Sequence, residues 1–200
     1  MVANVNSPSG FTPKVHGSGG VIRPSVVPYQ IASGLASNIY RGSPVIPVNT
    51  TRRINVAAAG NRLLGIFKAV NYWDLATGEV RFDAKWLSGQ TLKPGTVAEA
   101  TVFDDPDILY SAQVSGTAGL IATDVGNFAD VVIGTGSAIT NQSGDMLNQA
   151  SLGTTDGQFK IEALDPVEGN AFGQYAKALC RINETYAGPD ATAGNSLTAI

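Results

Sequence analysis

The chain has 200 residues, 44% of them hydrophobic and only 14% charged, with a formal net charge of -3. That length holds one good core, or one domain with an ordered arm. The acidic balance argues against nucleic acid as the main ligand, because binding through phosphates needs a basic stripe, and Arg52-Arg53 is a single pair in a turn.

In chain order, residues 1–30 read as an extended N-terminal arm outside the core. Pro8, Pro13, Pro24 and Pro28, with Gly10, Gly17, Gly19 and Gly20, break any helix or long strand. Phe11, Val15, Val21, Ile22, Arg23, Val26, Val27 and Tyr29 nevertheless lie along it. Apolar anchors on an extended path suit a segment that lies in a groove or adds a strand to a neighbouring sheet. These residues are the expected partner contacts.

From Ile31 the pattern becomes β-structure. Short runs at Ile39-Tyr40, Pro44 to Val48 and Arg53 to Ala58 lead to the central stretch, Ala57 to Trp86. There Leu63, Leu64, Ile66, Phe67, Val70 and Tyr72 make an apolar strand, and Asp74 to Gly78 a turn. Val80, Phe82, Ala84 and Trp86 then alternate with Glu79, Arg81, Asp83 and Lys85. Period two predicts a half-buried strand, with Leu64, Phe67, Phe82 and Trp86 expected inside and Trp73, beside the turn, a further candidate contact. Strands are predicted over Thr96 to Phe103 and Ile108 to Val114, separated by the Asp104-Asp105-Pro106-Asp107 turn. A short helix is predicted within Ala122 to Ile133, capped by Thr123 or Asp124, although Gly126 interrupts it. Val131 to Ile133, Phe159 to Ala163 and Tyr175 to Ile182 complete the strands, with Cys180 as a small core residue. Residues 31–185 form the expected β-rich globular domain and 186–200 a polar C-terminal tail.

Eight to ten short strands with frequent turns predict an all-β fold, a compact β-barrel or sandwich of antiparallel strands with at most one or two short helices. No apolar run reaches the ~18 residues of a membrane-spanning helix. The opening MVANVNSPSG has neither the basic start nor the apolar centre of a secretory signal.

Sequence motifs for chemistry are sparse. Asp104, Asp105 and Asp107 offer hard oxygen donors for a cation, but without the ligand spacing and glycine of an EF-hand loop, so they read as a turn. The single histidine, His16, sits in the arm with no fixed neighbour in sequence, and Gly17 to Gly20 lacks the Lys-Ser/Thr of a phosphate loop. No catalytic residue, metal ligand or cofactor is expected, and the chain is read as a non-enzyme. Trp73 and Trp86 flanking one strand leave open a carbohydrate-binding module, which requires both indoles exposed side by side.

Several long phrases carry a resemblance. NVNSPSGFTPKVHGSGGVIRPSVVPYQIASGLASNIYRGSPV (4–45), INVAAAGNRLLGIFKAVNYWD (54–74), DDPDILYSAQV (104–114), ATDVGNFADVV (122–132) and the final INE (182–184) resemble head decoration (cement) proteins of tailed bacteriophages. The resemblance implies a structural virion protein on the capsid exterior, assembled in the host cytoplasm, that cements neighbouring capsomers. Its implied partners are the major capsid protein and other copies of itself, as a dimer or trimer, without nucleic acid or membrane. The alternatives are another virion component, such as a tail or head-fibre base protein, and the carbohydrate module.

Overall fold

The organising element is a nine-residue strand that sends apolar side chains into a cluster on each of its faces. The structure is a computed structural model that describes residues 4–48 and 52–186. The expected polar tail, 186–200, lies outside the described residues except for Tyr186.

The N-terminal half supplies β1 (Thr12–His16), β2 (Tyr29–Ile31), β3 (Ile39–Tyr40), β4 (Pro44–Val48), β5 (Arg53–Val56), β6 (Gly65–Trp73), β7 (Val80–Asp83) and β8 (Lys85–Trp86). The C-terminal half supplies β9 (Ala98–Phe103), β10 (Ile108–Gln113), β11 (Phe128–Ala129), β12 (Val131–Val132), β13 (Met146–Leu147), β14 (Phe159–Leu164) and β15 (Lys177–Ile182). Helical structure among the described residues is limited to two short 3-10 turns, Ala122–Asp124 and Gln149–Ser151.

The first sheet runs β4-β5-β2-β9-β6-β7, and β4 also pairs with β6. Five strands therefore close into a ring, and β7 hangs from β6 outside it. All pairings in the ring are antiparallel except β2 with β5. The second sheet, β1-β10-β15-β14-β11, is antiparallel throughout. The all-β expectation holds, with the two sheets arranged as a sandwich.

Each sheet has its own apolar cluster. Ile31, Val45, Ile54, Phe67, Val70, Tyr72, Trp86 and Val102 belong to the one associated with the ring. Ile108, Tyr110, Phe159, Ile161 and Cys180 gather on the second sheet, joined from the first half by Phe11, Leu63 and Ile66. Strand β6 serves both clusters, Ile66 on one side and Phe67 on the other. A register shift between Phe67 and Ala69 in the pairing with β9 marks a bulge. The bulge lets Phe67 and Val70, three apart, share the cluster that strict alternation would divide. Cys180 is a buried free thiol, its pKa pushed far up by desolvation.

Four expectations need correction. Phe82 is 76% exposed and Val80 is also in solvent, because β7 lies beyond the closed ring and no second layer covers it. Trp86 is buried, but on β8, which pairs with β3 rather than continuing β7, and its ring meets Tyr72 edge-on at 5.5 Å. The helix expected within 122–133 is a single 3-10 turn. The chain is already extended at Val125 (φ -66, ψ 125), Gly126 at φ 95 follows outside the turn, and Phe128–Ala129 then pairs with β14. Finally, the arm is not separate from the core: Phe11 is 1% exposed, β1 is an edge strand on β10, and β2 lies within the ring. The prolines and glycines divide the first 30 residues into two short strands and a connection; they do not exclude them from the sheets.

Candidate partner surface and carboxyl clusters

The connection between β1 and β2, residues 17–28, runs over the surface and is fastened near both ends. Gly17 N–H donates to the Asp107 carbonyl at 2.7 Å, and Ser25 N–H donates to the Val102 carbonyl at 2.7 Å. The Arg52 guanidinium donates to the Val27 carbonyl at 3.2 Å. Along this stretch Val21 and Val27 are exposed and Val26 is 95% exposed, and Val15, just before it on β1, is exposed as well. Arg23 is exposed among them.

The other expected contact residues are turned inward. Phe11 stacks on Phe159 with ring centroids 4.2 Å apart. Ile22 packs partly buried against the second-sheet cluster. The Tyr29 hydroxyl donates to Asp104 Oδ2 at 3.0 Å, and Arg52 lies 4.7 Å over its ring. Burial, and then the Asp104 hydrogen bond, push that hydroxyl up to about 12. Trp73 is half-buried at the end of β6, with the Lys93 ammonium 3.6 Å above its ring. One indole capped by a lysine and the other wholly buried do not form an exposed stacking pair, which removes the support for a carbohydrate-binding platform. The sequence reading missed Val80 and Phe82 as surface residues because alternation alone had placed them inside.

The fold also joins what the sequence kept apart. His16, at the end of β1, reaches the turn between β9 and β10. Its Nε2 is 2.9 Å from Asp105 Oδ2 and its Nδ1 is 3.0 Å from Ser18 Oγ. The Asp107 N–H donates to Asp105 Oδ1 at 2.9 Å. That backbone donor, followed by the His16 hydrogen bond, holds the Asp105 carboxyl below the ordinary range despite some desolvation. One ligand atom from each of His16, Asp105 and Asp107 lies within 4.8 Å of the others. Such a donor set is chemically able to hold a cation.

A second group of carboxyls sits where the chain leaves β15. Glu184 gives its carbonyl to Leu63 N–H, fastening this segment to the strand-forming run before β6. Its side chain is partly desolvated, hydrogen-bonded to Asp156 and near Asp130, and these effects raise its pKa from 4.5 to about 7 against a smaller opposing pull from Arg62. A carboxyl whose pKa is raised on folding stabilises the fold while protonated, and that contribution is lost as pH rises through the folded value. Wild-type thermal stability is therefore expected to fall between about pH 4.5 and pH 7 through this group. Glu184→Gln, which stays neutral, should unfold at higher temperature than wild type at the upper end and the same at the lower end. Parallel melting curves for both proteins across that range check this.

The chain matches no family model, no characterised protein and no solved structure.

Proposed function

We propose that this chain is a structural virion protein that binds the outer surface of a phage capsid and cements neighbouring capsomers, using the segment from Val15 to Val27 as its contact. The observation that carries the reading is the exposed valine row on a path fastened at both ends. A solvent-facing apolar row is unfavourable alone and becomes favourable when a partner covers it. Fastening the ends lowers the ordering cost of docking, because the path is largely set before contact. The low charge of the chain fits extensive surface coverage, and the phrases of the first 45 residues resemble those of decoration proteins. Many copies on one shell would multiply modest single-site binding by avidity.

Deleting the N-terminal residues would not test this cleanly, because it would also remove Phe11 and β1. Substitution of the exposed valines does. Val21→Ser, Val26→Ser and Val27→Ser together should leave the melting temperature within a few degrees of wild type and weaken retention on cognate capsids at least tenfold. Each buried valine contributes about 1.5 kcal/mol or more, and about 1.4 kcal/mol is a factor of ten. Full retention of a folded triple variant would remove the segment as the contact. Failure of the wild-type chain to bind capsids stripped of it would remove the capsid role.

A further inference from the structure

We propose that His16, Asp105 and Asp107 form a binding site for a borderline divalent transition cation, of which Zn2+ is the representative. The three donors come from distant parts of the chain: His16 and Asp105 are 89 positions apart. They meet because β1 pairs antiparallel with β10, which sets His16 opposite Ile108 beside the turn that carries both carboxylates. Gly17 N–H on the Asp107 carbonyl, 2.7 Å, pins the juxtaposition.

The spacing fits a small ion. Tetrahedral bonds to zinc of about 2.0–2.2 Å place adjacent ligand atoms roughly 3.3–3.6 Å apart, and Nε2 of His16 and Oδ2 of Asp105, now hydrogen-bonded at 2.9 Å, need to part by only about half an ångström. The third donor belongs to the exposed Asp107, and one ligand atom from each of the three residues lies within 4.8 Å of the others. The surrounding contacts orient the set. Ser18 Oγ engages Nδ1, which leaves Nε2 turned to the carboxylates, as an outer partner does for a metal-bound imidazole. The Asp107 N–H occupies Asp105 Oδ1 and leaves Oδ2 on the ligand side.

Charge points the same way. Two carboxylates are held together, and among the described residues the ion pair at the cluster is Asp105 with His16, which is charged only if protonated. The adjacent Asp104 is engaged separately by the Tyr29 hydroxyl. A divalent ion would neutralise Asp105 and Asp107 together. The imidazole nitrogen selects for Zn2+, Co2+ or Ni2+ over Ca2+ and Mg2+, which take oxygen donors. With three protein ligands, water would complete the coordination. An ion there would tie the end of β1 to the β9–β10 turn at the root of the exposed segment.

The test does not depend on the capsid reading. His16 is the sole histidine of the chain, so every imidazole signal in a nuclear magnetic resonance spectrum of the full chain belongs to it. Titration of the isotope-labelled protein with zinc chloride at neutral pH should move the ring-nitrogen signals saturably at micromolar metal, with no response to millimolar calcium chloride. Asp107→Asn, a change at an exposed residue, should keep the metal-free melting temperature and weaken zinc binding by about tenfold or more, at least what an outer-shell partner contributes. His16→Gln should abolish the zinc-induced rise in melting temperature. Ring signals that stay unmoved at millimolar zinc would overturn the site. So would Asp107→Asn binding as tightly as wild type, which would reduce the effect to a lone surface histidine.

Discussion

Phe11→Ala is expected to destabilise the protein by about 3–5 kcal/mol, the range for removing a buried aromatic ring. The ring is 1% exposed and lies parallel to Phe159 within the second-sheet cluster. The backbone on which it sits is also engaged, since Phe11 N–H donates to the Gly42 carbonyl at 2.9 Å, at the entry to β4. The residue thus links both sheets, and neither neighbour can collapse into the vacated space without disturbing the other. Urea unfolding should show a lower midpoint with an unchanged slope. A loss below about 1 kcal/mol would contradict the core placement. Together with the valine substitutions, this separates two roles that look alike in sequence. Phe11 should affect stability, and Val26 should affect capsid retention.

The second large effect is expected from the smallest side chain. Gly65→Ala should cost about 3 kcal/mol or more, the upper part of the range for overfilled sites and beyond. A Cβ at this position would overlap the Phe103 carbonyl and stand 2.8 Å from Val102 Cγ1. Flexible side-chain atoms can move aside; a backbone carbonyl in a ladder cannot without breaking pairing. Strand β6 has no direction of retreat here, because Val45 of β4 is paired with Gly65 from its other side. Lys68→Ala on the same strand, where the side chain is exposed, is the matched control and should change stability by no more than about 0.5 kcal/mol. Equal behaviour of the two variants in urea would show that β6 and β9 are less closely held than their register implies.

The sequence was legible where one local rule decided the outcome. The apolar run before Asp74 became β6 because β-branched and aromatic residues fit a strand, and one that feeds a cluster on each face carries few polar residues, here Lys68 and Asn71. The Asp104–Asp107 turn and the strands on either side follow from turn chemistry and alternation. Period two on 79–86 found extended backbone but missed the break at Ala84 that sends Lys85–Trp86 to β3, and it assigned Phe82 to the core because alternation does not tell whether another layer covers a face. Phe11 was misread for the converse reason: flanking glycines and prolines indicate an irregular path, while its burial depends on Phe159, far away in the chain. The His16 cluster was invisible because its ligands converge only through the β1–β10 pairing. Of the expected contact row, the sequence distinguished neither Val26 from Ile22 nor Val21 from Tyr29; all are apolar residues on one extended stretch, and tertiary contact sorts them.

The placement of β1 also bears on when this molecule can exist. Its one strand partner among the described residues, β10, begins at Ile108, and β10 is flanked on its other side by β15, which ends at Ile182. Among the described strands, the one made first is thus the edge of a sheet whose middle strand, β15, is made after all the others. Such distant pairings must absorb loop-closure entropy before they return any contact energy, which makes folding slow. The segment that carries the valines therefore lacks its shelter until β9 and β10 have emerged, and its sheet is complete only once β15 follows. Interception of that nascent segment by chaperones would delay assembly without altering the finished protein.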